Sequence, residues 1–445
     1  MTEAVGGPVS PSLVELCERT GTTFVLALFV DLNGKPCAKL VPARAVDVLE
    51  RDGVGFAGYA VGAIGQEPKD PDLMAVPDVS SFTPVPFVRE GLAIVHCDPH
   101  VNGRPWPFAP RVILKSLVQR VADAGFEPHV GAEVEYFLLR KDGADLVPAD
   151  AQDTAAQPCY DARGVTRMYE HLAAISDAMN ALGWGNYAND HEDGNGQFEQ
   201  NFDYADALTT ADRVITLRYL LSVLASEKGM IATFMPKPFA DKTGTGLHLH
   251  LSLTSGGSTV FPADDAAKDA QGLGLSPTAY SFVAGILEHA CALQAVIAPT
   301  VNSYKRTRAT STASGASWAP NRPTYGGNDR THYVRVPDEQ RIELRGADGS
   351  ANPYLAVAAA LAAGLDGIKR NLSLGAVGTG PDLGTLPLTL LHAVDEFRAD
   401  PVITGALDTV GDGVSEYFAE LKTREFFEWH SAVGPWEHER YLTAF

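Results

Sequence analysis

Positive charge is in short supply in this sequence: 35 Lys and Arg stand against 55 Asp and Glu, a formal net charge of −20. A broad basic face for nucleic acid or an anionic membrane is therefore not expected, and any small anion must be met by a local basic pocket. Cysteine is also scarce. Cys17, Cys37, Cys97, Cys159 and Cys291 are odd in number, scattered and never in a C-x-x-C pair, so neither a disulfide framework nor a zinc ribbon is expected and a reducing cytoplasm fits. No stretch approaches the roughly 18 uninterrupted apolar residues of a spanning helix, and MTEAVGGPVSPS lacks a basic region followed by an apolar run. The expectation is a soluble, unprocessed, cytoplasmic protein with no membrane partner. One more absence is local: residues 302–320, NSYKRTRATSTASGASWAP, carry Lys305, Arg306 and Arg308 but no Asp or Glu.

The 445 residues, 45% hydrophobic and 20% charged, suffice for two or three domains with a sizeable core. A short helix around Pro11 to Arg19 precedes FVLALFVDLNGKPCAKLVP, two β-rich runs joined at Asn33-Gly34, a dipeptide suited to a tight hairpin. The Asn102-Gly103 turn and Pro105, Pro107 and Pro110 interrupt regular structure before the amphipathic run RVILKSLVQRVADAG. A boundary there gives domains at 1–108 and 109–445. Beyond it, helices are expected at Val165 to Leu182, Thr209 to Lys228 and Asn352 to Ile368, alternating with short strands, and GGSTVFPADDAAKDAQGLG reads as a surface loop.

Side chains alternate faces along a strand, so positions i and i+2 point together. In GAEVEYFLL this places Glu133 with Glu135; in GLHLHLSL it places His248 with His250 and Ser252; in QRIELRGAD it places Arg341 with Glu343 and Arg345. Any one of these alone reads as the solvated face of an edge strand. Together, and with Glu192 and Glu199 of DHEDGNGQFEQ, they supply five Glu and one His at candidate positions, and carboxylates on neighbouring strands repel one another unless a cation lies between them. Oxygen-rich donors with one imidazole favour Mg²⁺ or Mn²⁺ over zinc. Two hard divalent ions with arginines in a carboxylate-lined cleft would form a phosphoryl-transfer apparatus.

Seven motifs in order, VGAEVEYFLL, NDHEDGNGQFEQNFDYADALTTAD, ATFMPKPF, GTGLHLHLSL, NSYKR, RIELR and SANPYLA, resemble the glutamine synthetase superfamily over essentially the whole length. The resemblance implies an α+β chain with a small β-grasp-like N-terminal domain before an α/β barrel-like catalytic domain. It also implies a dodecamer of two stacked hexameric rings with active sites shared between neighbours. It implies one divalent metal on Glu135, Glu192 and Glu199 and a second on Glu133, His248 and Glu343. Arg306, Arg345, Gly244 and His248 would form the glutamate site. Arg330 and Arg335 would stabilise the transferring phosphoryl group, with Arg306, Arg330 and Arg345 the arginines engaged in catalysis, and His250, Ser252 and Arg341 would join them in the nucleotide site. ATP would phosphorylate the γ-carboxylate of L-glutamate, and an amine would then displace phosphate to leave an amide.

The sequence departs from typical members in the ammonium pocket. Ala57, in GFAGYAVG, and about Thr312, in RTRATSTASGAS, stand where the family carries an Asp and a flap Glu. An ammonium ion has four N–H donors, whereas an alkylamine trades one for carbon. Burying a methyl group alone gives only about 0.8 kcal/mol, roughly fourfold, so the two lost acids carry more of the preference. With HEDGNGQFEQN and SGASWAP, the pattern resembles the type III branch, the glutamate–methylamine ligases. The implied product is γ-glutamylmethylamide. Ammonia, ethylamine, ethanolamine and a polyamine stay open as acceptors, as do an inactive scaffold and a metal-dependent hydrolase. The group that deprotonates the amine is open too, Asp72 being a candidate by position only. No NLYDLP-like segment follows GLDGIKRNL, so control by adenylylation is not expected.

Overall fold

The computed structural model of the chain describes residues 11–265, 269, 271–309, 312–378 and 384–445. It is a mixed α/β fold in which an N-terminal sheet domain precedes a larger domain of sheet and helices. The first sheet is formed by β1 (Phe24–Val30), β2 (Pro36–Pro42), β3 (Val54–Phe56), β4 (Leu73–Pro77), β5 (Thr83–Pro84), β6 (Leu92–Val101) and β7 (Arg104–Pro105). As the Asn33-Gly34 dipeptide predicts, β1 and β2 pair antiparallel, with Gly34 at φ +80° in the turn. The helix before them spans Leu13–Thr20, and the Ser12 hydroxyl and the Glu15 carboxylate close a reciprocal cap at its start. Strand β1 also runs parallel to β6, burying Val25, Ala27 and Phe29 against Ala93 and Val95.

Helix Pro110–Asp123 starts on a proline, whose missing N–H costs nothing in a first turn, and leads into the second sheet. That sheet comprises β8 (Glu127–Asp142), β9 (Asp145–Pro148), β10 (Ala188–His191), β11 (Gln197–Asn201), β12 (Ala205–Asp206), β13 (Ile231–Thr233), β14 (Leu247–Ser255), β15 (Ser258–Thr259), β16 (Tyr325–Gly326), β17 (Val334–Asp338) and β18 (Arg341–Leu344). Its main path runs β10-β11-β8-β14-β18-β17-β16. Leu247, Leu249, Leu251 and Leu253 on one face of β14 are buried, as the alternation requires.

The helices Ala207–Glu227 and Pro353–Arg370 lie where their periodicity places them. The expected helix from Val165 to Leu182 is instead two, Ala162–Arg167 and Tyr169–Ala181, separated at Met168. The first is pinned early by the Asp161 carboxylate, which accepts from Arg163 N, and sits close to β10: a Cβ on Gly164 would lie 2.6 Å from His191 Cδ2. Strand β15 interrupts the loop expected over 256–274, of which residues 266–268 and 270 lie outside the described residues.

A charge network centred on the buried Arg111 joins the N-terminal sheet to helices of the larger domain. Arg111 donates to Asp212 Oδ1 (3.0 Å) and Oδ2 (2.9 Å), Asp98 (2.7 Å) and Asp78 (3.0 Å), and Lys115 adds bonds to Asp98 (2.7 Å) and Asp78 (3.2 Å). Tyr354 donates to Asp212 at 2.6 Å, and His96 Nε2 bonds Thr216 at 2.9 Å. At the other end Asn352 donates to Asp31 O at 3.0 Å and Lys422 to Asn33 Oδ1 at 2.7 Å.

Candidate active site

Strand register assembles the site. Across β10, β11 and β8, Asp190 is opposite Glu199, and Glu199 opposite Glu135; one step along, Asn201 is opposite Glu133, and Glu133 opposite His248 on β14. His250 is opposite Glu343 on β18, and Glu343 opposite Arg335 on β17. Residues remote in sequence thus stack on one face of the sheet, beneath a cavity of about 730 Å³. Its lining includes Glu133, Glu135, Asp190, Glu192, Asp193 and Glu199, against the guanidinium groups of Arg306, Arg330 and Arg345.

Several of these carboxylates have firm protein partners. Glu133 accepts from His248 Nδ1 at 2.8 Å and from His250 Nε2 at 2.9 Å. Burial would raise its pKa, yet these two bonds hold it well below the usual range. Glu135 accepts from Gly246 N at 2.6 Å and Gln197 Nε2 at 2.9 Å, with His248 Nε2 at 3.7 Å. Glu343 accepts from Arg335 at 2.6 Å and also from Arg345, and burial is outweighed by His248 and Arg345 so that its pKa falls.

The neighbouring acids are crowded instead. Burial, reinforced by Glu133, Glu192 and Glu135, pushes Glu199 well above the carboxylate range. Burial with Glu135 and Asp190 pushes Glu192 up to about 8, and burial with Glu133 and Glu135 pushes Asp190 up to about 6. Such groups keep their charge only beside added positive charge.

Three sets of side chains, Glu133–His248–Glu343, Glu135–Glu199–His248 and Asp190–Glu192–Glu199, each bring one ligand atom per residue to within 4.8 Å of the others. Carboxylate oxygens with a single imidazole fit a hard divalent cation, and the raised Glu192 and Glu199 give an electrostatic reason for one to bind. The first set coincides with one expected ligand trio. Glu135, Glu192 and Glu199 are not one set; Glu199 bridges two, the other members being His248 and Asp190.

Arg306, on the short helix Ser303–Thr307, is 3% exposed, and Arg345 is 1% exposed, so both guanidinium groups reach the cavity from within the protein. Gly244 leaves room for Arg306: a Cβ there would lie 2.6 Å from both Arg306 Cγ and Pro236 O. Arg330 lines the cavity from an exposed loop. Arg335 stays behind Glu343, its Nε donating to Asn328 Oδ1 at 3.0 Å, and is absent from the lining. His250, Ser252 and Arg341 lie farther along the same sheet, also outside the lining, with Arg341 Nε donating to His250 Nδ1 at 3.2 Å.

The residues expected at the amine pocket lie apart. Ala57 is exposed on the N-terminal sheet domain, capping the short helix Gly58–Val61, and Asp72 is exposed beside it; neither lines this cavity. Thr312 bonds Ser314 Oγ at 3.1 Å and Ala316 O, and the wall is made by Ser317 and Trp318 farther along the segment. Asp193, bonded by Thr243 and Ser314, links this segment to the cavity. Sequence reasoning missed Asp190, Asp193, Tyr160, Tyr187 and Trp318, all on the cavity wall. Asp190 carried a usable signal, since it is two residues before Glu192.

A sheet that presents carboxylates and imidazoles to a cleft, with buried arginines at its side, offers candidate sites for hard divalent cations beside guanidinium groups that suit an anionic substrate. The family model for the glutamine synthetase catalytic domain matches residues 107–441, and the chain belongs to the glutamine synthetase family. It is 42% identical over 433 residues to the glutamine synthetase of Rhizobium meliloti (strain 1021), covering 95% of this chain and 97% of that protein. It is 40% identical over 435 residues to the glutamate–methylamine ligase of Methyloversatilis universalis, covering 95% and 96%. The solved structure of GmaS in complex with ADP superposes with a TM-score of 0.90 at 44% identity, covering 97% of this chain and all of that one.

Proposed function

We propose that this chain is an ATP-dependent carbon–nitrogen ligase that joins L-glutamate to methylamine, forming γ-glutamylmethylamide, ADP and phosphate. The observation that carries the reading is a single cavity holding the carboxylate–imidazole cluster together with buried Arg306 and Arg345. A cluster of acids alone would serve many metal enzymes; guanidinium groups buried beside it suit a substrate that is itself a dicarboxylate. Methylamine is favoured because the 312–320 segment places Ser317 and Trp318, and no carboxylate, on the wall. The likeness to GmaS and to a glutamate–methylamine ligase points the same way.

In this reading Arg306 and Arg345, with the backbone at Gly244, bind the carboxylates of glutamate. Glu135, Glu192 and Glu199 would hold one divalent cation and Glu133, His248 and Glu343 a second, Mg²⁺ or Mn²⁺, which when bound would supply positive charge against the phosphate oxygens. Arg330 and Arg335 stabilise the phosphoryl group as it passes to the γ-carboxylate, and His250, Ser252 and Arg341 belong to the nucleotide end. The bound alkylammonium first gives up a proton, the free amine nitrogen attacks the acyl carbon, phosphate departs, and the nitrogen loses its second proton to leave the amide. The reading includes a dodecamer of two hexameric rings with sites shared between neighbours, in which Ala57, exposed and away from its own chain's cavity, would face a neighbour's site. The domain boundary falls at 108/109, and the setting is cytoplasmic.

Glutamine synthesis from ammonia is the second reading, favoured by the 42% identity to the R. meliloti enzyme. Phosphate release from ATP with glutamate and Mg²⁺ or Mn²⁺ separates the two, with ammonium, methylamine, ethylamine, ethanolamine and putrescine compared. Methylamine is expected to give the highest kcat/KM. A clear preference for ammonium would establish the second reading, and no glutamate-dependent turnover with any amine would remove both.

A further inference from the structure

Among the described residues, four other than glycine have left-handed backbone: Asn102, Tyr160 (φ +61°), Trp318 (φ +55°) and Asn371. Asparagine adopts this conformation readily because its short amide can bond locally. A bulky aromatic does so only where its surroundings impose it, and such outliers gather at functional sites. Both aromatic outliers here line the catalytic cavity, and Tyr187 makes a third aromatic on its wall. Tyr160 is 66%, Tyr187 69% and Trp318 44% exposed, so three large apolar surfaces are held open beside a set of carboxylates. Trp318 also walls the adjoining cavity with Arg322 and Arg330.

We infer that Trp318 determines amine specificity, its indole covering the alkyl group of a primary alkylammonium while Asp190 and Asp193, the lining carboxylates that hold no cation in the ligase reading, take N–H donors. The inference rests on the ligase reading above. Indole has a single N–H donor and no acceptor lone pair, so a wall made of it cannot complete the four-donor shell of ammonium. It suits the carbon of an alkylammonium, which offers three donors and one apolar substituent. A cation over an aromatic face is attracted to the ring as well, most strongly to Trp. The segment that lacks carboxylates thus contributes a positive determinant, and Tyr160 and Tyr187 extend the aromatic wall.

The test is steady-state kinetics of Trp318→Ala and Trp318→Phe, with methylamine and ammonium each varied at saturating ATP, glutamate and Mg²⁺. For Trp318→Ala, the ratio of kcat/KM for methylamine to that for ammonium is expected to fall roughly tenfold, equal to about 1.4 kcal/mol. KM for glutamate and ATP should stay as in the wild type, and Trp318→Phe should restore most of the ratio. An unchanged ratio in folded Trp318→Ala would overturn the inference. Equal losses with both amines, accompanied by a raised KM for glutamate, would overturn it as well and give the ring to the glutamate site. Wild-type protein without amine-dependent phosphate release overturns the ligase reading and this inference together; wild-type turnover with an unmoved ratio overturns this inference alone.

Discussion

At the junction between the N-terminal sheet and the helices of the larger domain, Arg111 and Lys115 face Asp78, Asp98 and Asp212, and each cation bonds more than one carboxylate. In the cleft, six carboxylates share the wall with three arginines, and Glu192 and Glu199 are driven above the usual carboxylate range by burial and by neighbouring carboxylates. The titrations separate the two clusters. Burial would raise Asp78 and Asp212, but the Ser80 bond with Arg111 and Lys115 in one case, and His96 with Arg111 in the other, bring both below the ordinary value. Charge at the junction is satisfied by the chain itself, which is how a fixed joint is built. Charge in the cleft is left for something else to satisfy, which is how a binding site is built.

Breaking the balanced cluster should have the larger effect on stability. Arg111→Met leaves Asp78, Asp98 and Asp212 facing one another with only Lys115, and is expected to destabilise the fold by about 3–5 kcal/mol. Urea unfolding monitored by circular dichroism measures this, and glutamate-dependent turnover per folded molecule should be retained. A loss under 1 kcal/mol, taken as roughly the worth of an exposed pair, would show that the junction is not fixed by this network.

The pH dependence of metal-free protein sharpens the contrast through the sign of its effect on stability. Asp78 and Asp212 are depressed, so their contribution is present above about pH 4 and is lost as pH falls through their folded values. Burial lowers His96, and stability is likewise lost as pH falls below about 6.5. The raised Glu192 and Glu199 have the opposite sign: their contribution is present below about pH 4.5 and is lost as pH rises, for Glu192 through about 8. Thermal melts with a chelator present should therefore show Tm falling on both sides of a maximum. Only the alkaline limb should flatten when Mg²⁺ is restored.

The part of the site that local geometry dictates was legible in the sequence. Glu133 with Glu135, His248 with His250, and Glu343 with Arg345 follow from the two-residue strand period alone, and Gly183 and Gly229 follow the ends of their helices as left-handed residues. Asp190 was not legible as a partner of Glu199, because the pairing is a register between β10 and β11 that single-strand alternation does not set. Trp318 and Tyr160 lie on loops, where no period operates. The junction was hidden differently: Arg111 opens an amphipathic helix and reads as a surface residue, while its partners at 78, 98 and 212 come from three separate segments. The break at Met168 leaves no glycine or proline at the break itself.

That divalent cations supply the charge missing from the cleft is tested most directly by Mn²⁺ binding to the assembled protein, counted by electron paramagnetic resonance for the wild type and Glu135→Ala. Two ions per chain are expected in the wild type if the cleft acids hold divalent cations. In a normally folded Glu135→Ala the same assignment gives one weakened site and turnover reduced more than about 100-fold. No Mn²⁺ bound to the wild type, or a Glu135→Ala variant that binds and turns over like the wild type, would contradict it.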